Sequence, residues 1–425
     1  MSGPKSVLVV GGGVAGLCSA YYLRQSGVDV TLVESNRIGS GASWGNGGWV
    51  CPAQAGPLPE PGLTWYGIRS LFDRDSALYF QLSKFPELAP WLLRFWTYCN
   101  KRDHEHGVEA LAALGHDVFD LVEEMREDGV EFELHQNGMV VVARERETAR
   151  GELEKLKPMK AFGYDLPDDV LSESELHELE PALADEVRGG FEVTQHWHVR
   201  PDSLTAGLAD ALRRMDVEIV EGAEVADFAL DGARVSGVRT AVGDFSADAF
   251  LLAAGAWTPS IAKMIGVRFP MQAGKGYSFS VGPSVMPKHS ILLADVHVGC
   301  TPFSGRMRIG GTMEFSGLNV RLDHKRIDDI VVAARTAFQP WETPAIDDIW
   351  AGMRPITPDG LPVLDGTAVP NAYVATGYAM QGVTLAAPAG RAMAELITTG
   401  VKPGLLDPFG IDRLRGIRRR RNGRG

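Results

Sequence analysis

The chain begins with a short apolar run followed by residues whose apolar positions recur every three or four places. Residues 7–10 (VLVV) are β-branched apart from one leucine and stop at a cluster of glycines, which predicts a strand buried in a parallel sheet. Residues 15–26 have the helical spacing of apolar positions, and Gly27 ends that pattern. Residues 28–33 form a second strand-like run. The opening segment therefore predicts a complete β-α-β unit.

The turn after the first strand carries a phosphate-binding pattern. Gly11, Gly13 and Gly16 have the GxGxxG spacing, and Glu34 follows the second strand. In this pattern the first glycine makes the turn, the second lets the backbone approach a pyrophosphate, and the third packs helix against strand. The helix N-terminus offers free N–H groups to the phosphates. A carboxylate at position 34 accepts hydrogen bonds from a ribose 2′-hydroxyl and disfavours a 2′-phosphate, so FAD or NAD is predicted rather than NADP.

The glycine-rich segment 37–48 (RIGSGASWGNGG) separates these two dinucleotides. It is either a flexible surface loop or a loop whose backbone follows a long ligand closely. NAD-binding folds usually continue with another α/β unit at this point, so the loop favours FAD. The residues predicted here to contact the cofactor are Gly11, Gly13, Val14, Ala15, Gly16, Glu34, Ser35, Arg37, Gly41, Ala42, Ser43, Asn46, Gly47 and Gly48.

Two distant segments extend the pattern. Residues 248–257 (DAFLLAAGAW) predict a buried strand that ends at Gly255, as if it returned to the same sheet. Residues 371–377 predict another short strand with a terminal glycine, and 384–397 are helical in pattern. A helix N-terminus stabilises negative charge. The second helix start, at Gly382, Val383 and Thr384, is therefore expected beside the pyrimidine side of a reduced flavin.

The remaining strand-like runs predict a second layer. They occur at 138–143, 189–194, 271–281, 291–298 and 306–311, with helix-like stretches from residue 85. The predicted fold is α/β, with a discontinuous Rossmann-like FAD-binding domain and a second α+β substrate domain on a mostly antiparallel sheet. The predicted boundaries give 1–85, 200–266 and 346–412 to the FAD-binding domain, 86–199 and 267–345 to the substrate domain, and 413–425 to a disordered tail.

Five motifs occur in the order found in one flavoprotein family. GxGxxG with Glu34, SWGNGG, LLAAGAWT, GMRPITPDGLPVLD and ATGYAMQGVTLAAPAG resemble the D-amino-acid oxidase superfamily, and the bacterial D-amino-acid dehydrogenases most closely. The resemblance covers about 7–411 and implies FAD held between the two layers. It implies that Arg354, within GxRP, binds the substrate carboxylate next to the flavin, and that Tyr277 is a second carboxylate donor. It also implies a backbone contact from Val225 to the adenine, although an ordinary strand valine fits equally well.

The chemistry of the residues themselves supports an anchor at Arg354. A flavin takes a hydride from the substrate carbon, so the protein mainly orients that carbon. The planar guanidinium of Arg354 can hold a carboxylate through two parallel hydrogen bonds; the alternative is a structural arginine that bridges the domains. For Tyr277 the alternative is an aromatic core residue.

Other site predictions rest on position alone. Tyr378, Met380 and Gln381 precede the second helix and are expected to flank the flavin ring, and His198 is a pocket candidate or a packing residue. Lys275 either promotes oxygen reduction or lies on the surface, and we favour the surface. The loop 52–62 is an entrance segment or a surface connection. The four cysteines form no CxxC pair, so neither a metal site nor a covalent flavin link is predicted.

Composition narrows the partners. The 425 residues carry 42 basic and 54 acidic groups, a net charge of −12, which argues against nucleic acid. No apolar run approaches the roughly 20 residues of a membrane helix, and no secretory signal is expected. The cysteines fit a reducing compartment, so the predicted location is cytoplasmic.

Residues 413–425 contain seven arginines and no acid. This tail is either solvated or attached to anionic lipid, with access to membrane quinone.

The predicted function is FAD-dependent oxidation of a D-amino acid, or a related secondary amino acid, to the imine, which hydrolyses to a 2-oxo acid and ammonia. Quinone, another carrier or O2 is the predicted electron acceptor. The alternative is an oxidase of sarcosine, proline or glycine type that uses O2 and releases H2O2. A flavin-dependent aromatic hydroxylase is disfavoured because ATGYAMQGVT stands where such enzymes have a Gly-Asp motif. A non-catalytic flavin-binding protein is the remaining class.

Overall fold

Two large sheets organise this computed structural model, which describes residues 3–63, 78–339 and 346–415. The strands are β1 (Ser6–Val10), β2 (Asp29–Val33), β3 (Trp49–Val50), β4 (Leu78–Phe80), β5 (Leu134–His135), β6 (Met139–Ala143), β7 (Gly189–Val193), β8 (Trp197–Val199), β9 (Glu218–Val220), β10 (Val225–Asp231), β11 (Arg234–Thr240), β12 (Gly243–Phe245), β13 (Ala249–Leu252), β14 (Gln272–Val281), β15 (Ser290–Leu293), β16 (Val298–Phe303), β17 (Arg306–Phe315), β18 (Asp347–Ile356), β19 (Val363–Gly366) and β20 (Ala372–Thr376). The helices are α1 (Val14–Gln25), α2 (Phe85–Tyr98), α3 (Lys101–Leu114), α4 (Val118–Glu127), α5 (Arg146–Leu156), α6 (Glu173–Leu179), α7 (Pro201–Arg214), α8 (Thr258–Met264), α9 (His324–Arg335) and α10 (Gly382–Thr399).

The first sheet is the predicted Rossmann-like sheet. Its six strands have the order β19-β20-β13-β1-β2-β9, and every neighbouring pair is parallel except β19 with β20. Leu8 and Val9 of the central strand β1 have no exposed surface, because a parallel sheet is covered on both faces. The strands come from well-separated parts of the chain, so the predicted discontinuous α/β fold is confirmed.

The second sheet is mostly antiparallel, as predicted. It follows the path β18-β14-β17-β16-β15-β6-β7, with β4 alongside β17, and only the pairs β15–β6 and β17–β4 are parallel. The run 291–298, predicted as one strand, is wrong in one respect: the chain reverses after Leu293 and returns as β16. His297 lies in the left-handed region within this turn, with a φ of 53°.

Packing shifts three predicted domain boundaries. Helices α3 and α4 were assigned to the substrate domain, but Leu111 and Leu121 pack in the core formed by α1, α7 and α10. Strand β18 was assigned to the FAD-binding domain, but it pairs with β14 in the second sheet. The predicted tail begins at Arg413, whose guanidinium bonds to Asp359 at 2.7 Å. Each case is decided by contacts between residues distant in sequence, which the sequence pattern alone does not report.

No helix within 3–63, 78–339 and 346–415 is sufficiently long and apolar to cross a membrane. The predicted attachment segment 413–425 lies outside the described residues from 416 onward.

A buried ion pair joins β14 to β17 on the sheet face that packs against α9. Lys275 Nζ lies 2.9 Å from Glu314 Oε1, and Tyr277 donates its hydroxyl hydrogen to Glu314 Oε2 at 2.7 Å. The prediction of a surface Lys275 is therefore wrong, since the residue is only 3% exposed. Burial opposes ionisation of Glu314, but hydrogen bonds from Lys275, Ser316 and Tyr277 outweigh it and hold the pKa of that carboxyl below its usual range.

We expect Glu314→Gln to lower the free energy of unfolding at pH 7 by about 3 kcal/mol, because it leaves Lys275 buried without a counter-ion. A carboxyl whose pKa is lowered by folding contributes stability above its unfolded pKa, and that contribution is lost as the pH falls through its folded pKa. The difference between the two proteins should therefore narrow below about pH 4. Urea unfolding of both proteins at pH 7 and below about pH 4 measures this difference in the free energy of unfolding.

Asp329→Asn is the matched control, because it removes an exposed i,i+4 pair with Lys325 and should change stability by less than about 0.5 kcal/mol. A pH-independent loss in Glu314→Gln would contradict the assignment.

Candidate active site

A cavity of about 2290 Å³ is lined by residues of both sheets. Pockets for small molecules usually enclose about 300–1,000 Å³. This cavity therefore has room for a dinucleotide and a small substrate together. It runs from the ends of β1, β2 and β13 to strands β14, β17 and β18.

At one end of the cavity the backbone of the first turn is exposed to a ligand. Gly11 has a φ of 112°, and a Cβ there would lie 2.6 Å from the carbonyl oxygen of Ala253. At Gly13 a Cβ would meet only Ser43 Oγ, at 3.3 Å. The Val14 N–H donates to the same Oγ at 3.0 Å, and α1 has no side-chain cap. The remaining N–H groups of the first turn are thus available to an anion.

Glu34 is held at the end of β2 by its neighbours. One carboxylate oxygen accepts the Gly12 N–H at 2.8 Å, and the other accepts the Asn36 N–H at 2.9 Å and the Ser35 hydroxyl at 3.0 Å. A carboxylate offers about four acceptor positions. One position therefore remains for a ribose hydroxyl, on a side chain that lines the cavity.

At the other end lies a cation without a counter-ion. Arg354 stands opposite Gly274 in the β14–β18 pairing, and its guanidinium lies over Gly276, where a Cβ would be 2.0 Å from Nη1. Nη1 donates to the Thr312 carbonyl at 2.9 Å, and no carboxylate among the described residues forms an ion pair with it. Burial lowers the pKa of Arg354 to about 10, so the group stays charged at neutral pH and its unused donors face the cavity.

Tyr277 does not join Arg354. Successive strand residues point to opposite faces, and Tyr277 is opposite Ala351, one position out of phase with Arg354. Its ring packs with Phe279 in the core against α9, and its hydroxyl hydrogen is committed to Glu314. Tyr277 contributes to the cavity lining, but its core packing and its bond to Glu314 favour the core alternative over a second carboxylate donor.

A second arginine lines the cavity on the Arg354 face. Arg308 is 5% exposed; its Nη2 donates to Asp348 Oδ2 at 2.6 Å, and its Nη1 lies 3.4 Å from Ser278 Oγ. Its Nε has no hydrogen-bond partner among the described residues. Burial lowers the pKa of this guanidinium.

The N-terminus of α10 forms another part of the cavity wall. This helix begins at Gly382, as expected, without a side-chain cap. The Gln381 side chain donates to the Gln54 carbonyl at 3.1 Å, while its buried Oε1 has no partner in the described chain. Another helix N-terminus with free N–H groups therefore meets the cavity.

The sequence matches the family model for FAD dependent oxidoreductases over residues 6–396, which is nearly the whole chain.

The chain belongs to this family.

Relatives and solved structures agree with the family. The chain is 29% identical over 405 residues to a D-amino acid dehydrogenase of Bradyrhizobium diazoefficiens, covering 93% of this chain and 96% of the relative. It is 30% identical over 407 residues to the D-amino acid dehydrogenase of Methylobacterium nodulans, covering 92% and 95%. Its fold is similar to that of a glycine oxidase from Geobacillus kaustophilus, with a TM-score of 0.76 and 24% identity, covering 98% of this chain and 100% of that one.

The residues present fit an FAD molecule. Two uncapped helix starts, a glycine turn open to the cavity and a carboxylate with a free acceptor position are the groups that its phosphates and ribose need. The predicted cofactor residues that line the cavity are Gly11, Gly13, Val14, Ala15, Glu34, Ser35, Arg37, Gly41, Ala42, Ser43, Asn46, Gly47, Val225, Gly255, Arg354, Gly382 and Val383. Their individual contacts with FAD stay a prediction.

Three further cofactor candidates lie behind the cavity wall. A Cβ at Gly16 would be 1.9 Å from the Gly11 carbonyl oxygen, so this glycine packs helix on strand. A Cβ at Gly48 would be 1.9 Å from the Val199 carbonyl oxygen. Thr384 donates to the Trp49 carbonyl at 3.0 Å and accepts the backbone N–H of residue 51. These residues shape the wall rather than line it.

Of the residues predicted for the substrate pocket, three line the cavity and one lies outside its lining. Met380 is half exposed and, like Gln381, lines the cavity. Tyr378 also contributes to the lining, but its ring packs in the core with Cys18, and burial raises the pKa of its hydroxyl. His198 is corrected: it is fully buried outside the cavity lining, and its Nε2 bonds to the Pro302 carbonyl at 3.0 Å.

Sequence reasoning missed Arg308. No site prediction was made for 308–312 (RIGGT), although Arg308 and Gly310 share a face in a strand by alternation. Trp350, two positions from Gly352 on the Arg354 face, was missed too. Because side chains alternate between the two faces of a strand, both residues could have been predicted once the face of the sheet that carries Arg354 was known.

We expect Gly13→Val to be purified folded but without flavin. Among the described residues the only atom near the added Cβ is Ser43 Oγ, so the fold can adjust, whereas the side chain occupies the approach to the α1 N-terminus. Flavin absorbance and circular dichroism measure the two effects. Gly151→Ala is the control, because a Cβ there meets nothing within 4 Å. A yellow Gly13→Val protein would disprove the phosphate site.

Proposed function

We propose that this chain oxidises the C–N bond of a D-amino acid, or of a related secondary amino acid, to the imine. The imine of a primary amino acid then takes up water and gives a 2-oxo acid and ammonia, whereas the imine of a secondary amino acid gives a carbonyl compound and an amine. The observation that carries this proposal is the half-buried Arg354, which faces the cavity without a carboxylate partner in the described chain. The relatives named D-amino acid dehydrogenase support the substrate class.

Arg354 acts by binding and orienting the substrate. Its two-pronged guanidinium can hold the carboxylate in one plane, which fixes the adjacent carbon. Bound FAD supplies a hydride acceptor. The amine must be neutral when the carbon loses its hydride, and the positive charge of Arg354 disfavours a second positive charge nearby.

An aromatic wall keeps water from the anchor. Phe80, Trp91, Phe95 and Phe315 line the cavity and form one buried cluster. The Trp91 indole N–H donates to the Ile356 carbonyl, two residues beyond Arg354, at 3.1 Å. A dry surrounding strengthens the pairing of guanidinium with carboxylate. The wall therefore contributes to binding even though it carries no charge.

The cofactor is proposed to bind without a covalent bond. Cys51 is a cysteine that lines the cavity, and burial raises the pKa of its thiol to about 12. A thiol that stays protonated is a poor nucleophile. If denaturation of the protein releases all of the flavin colour into the supernatant, that result would support non-covalent binding.

A glycine-, sarcosine- or proline-type oxidase is the second candidate, favoured by the fold shared with glycine oxidase. The two functions differ in the acceptor, which is a quinone or another carrier in the first and O2 in the second. Release of H2O2 in air-saturated buffer, at the rate of substrate loss, would support the oxidase.

Arg354→Leu should raise KM for the substrate by about 30-fold or more, since a charge pair in a desolvated site is lost. The substrate is first found by anaerobic flavin reduction with matched D- and L-amino acids, sarcosine and hydroxyproline. Arg335→Leu, at an exposed position of α9, is the control and should keep the original KM. No flavin reduction by any of these compounds would refute the proposed function.

We further propose that the five arginines that follow Arg415 attach the protein to anionic lipid, next to a membrane acceptor. A chain ending at Arg415 should sediment less with anionic vesicles than the full chain, and salt should abolish the difference. Equal partitioning of the two chains at low salt would argue for a solvated tail.

A further inference from the structure

Arg308 is a buried cation with unused hydrogen-bond donors. A guanidinium has five N–H donors, and in the described chain those of Arg308 meet Asp348 at 2.6 Å and Ser278 at 3.4 Å. The second contact is long for a hydrogen bond, and Nε has no partner among the described residues. Buried donors are nearly always paired in native proteins. An orphaned donor on a side chain that lines a cavity indicates a ligand.

The two cavity arginines meet over one face of β14. Arg354 lies over Gly276, and Arg308 reaches Ser278 from the neighbouring strand. Gly276 and Ser278 are alternate residues and share a face, about 7 Å apart. The two guanidinium groups therefore approach each other from opposite sides of the same strand.

Small residues and one indole lie between them. Gly352 is paired with Gly276 across β18 and β14, and the indole of Trp350 covers Gly352, where a Cβ would lie 1.7 Å from the ring. Gly45 lies against this ring and against Ser278, because a Cβ at Gly45 would be 2.3 Å from the ring and 2.7 Å from Ser278 Oγ. The Trp350 ring therefore lies beside the two cations, and both cations line the same cavity.

The charges indicate what the ligand carries. Asp348 balances one of the two positive charges, and Arg354 has a carbonyl partner, Thr312, but no carboxylate partner in the described chain. A substrate with a single carboxylate neutralises Arg354 and leaves the free donors of Arg308 unused. A second carboxylate on the same molecule would accept them, as a charge-assisted bond.

We propose that the substrate carries a second anionic group, which Arg308 binds while Arg354 holds the α-carboxylate. The substrate class is thus an amino dicarboxylic acid, such as aspartate or glutamate, or a secondary amine with two carboxylates. The inference rests on the proposed function and extends it to specificity.

The first test compares each acid with its amide in the holoenzyme. D-aspartate and D-asparagine, and D-glutamate and D-glutamine, have almost the same size and differ in one charge. Iminodiacetate and sarcosine are the pair for a secondary amine. We expect kcat/KM to favour the acid by about 30-fold in at least one pair, mainly through KM.

The second test changes Arg308. Arg308→Gln should reduce the acid-to-amide ratio by at least about tenfold, and Arg308→Lys, which keeps the charge but loses the planar fork, should give an intermediate ratio. Arg306→Gln is the matched control, because it lies two residues away on β17 but outside the cavity lining. Its ratio should equal that of the original protein.

Three outcomes overturn the inference. In the first, the unaltered enzyme shows no preference for any acid over its amide or for iminodiacetate over sarcosine. In the second, Arg308→Gln lowers acid and amide rates equally. In the third, Arg308→Gln and Arg308→Lys lose FAD that Arg306→Gln retains, which would make Arg308 a cofactor ligand.

The proposed function fails separately. If monocarboxylic amino acids reduce the flavin while no acid is preferred, only the dicarboxylate inference is lost. If none of the amino acids or secondary amines reduces the flavin, both are lost.

Discussion

A buried positive charge without a fixed counter-ion is the constraint on which this site depends. Arg354 receives only one hydrogen-bond acceptor from the described chain, the Thr312 carbonyl, and its place over the sheet exists because Gly276 has no side chain. A desolvated cation is costly unless it is paired. Under the proposed function the missing partner arrives with the ligand, and the aromatic residues that line the same cavity would increase the strength of that pairing.

Two sheets with interleaved chain order make the cavity. The first sheet supplies glycine turns and helix starts, and the second supplies the arginines. The segments are held together by specific contacts across the cavity: Ser278 donates to the Gly45 carbonyl at 2.8 Å, and the Trp44 indole donates to Asp348 at 3.1 Å. Because these contacts join the glycine-rich segment 37–48 to the second sheet, the proposed cofactor and substrate sites share one set of supports.

Local patterns in the sequence predicted the first sheet well, since apolar runs, glycine spacing and helix starts are short-range features. The fold class, the β-α-β unit and the start of α10 at Gly382 were all accessible in this way. The direction of individual side chains was not. The sequence predicted a site residue at Tyr277 and a surface residue at Lys275. In the structure both side chains lie on the face of β14 that packs against α9, and both contact Glu314. The pairing register that fixes this phase depends on contacts between β14, β17 and β18, which lie far apart in sequence.

Strand β18 gives the molecule a particular modularity. It ends at Ile356 within the second sheet, and the chain enters the first sheet at Val363, only a short connection later. Arg354 and the start of α10, which line the same cavity, are therefore encoded close to each other, although they belong to different layers. Recombination between relatives that exchanged the earlier strands of the second sheet would alter the shape of the binding floor while inheriting Arg354 and α10 as one block. Specificity could then diversify without loss of the common redox apparatus.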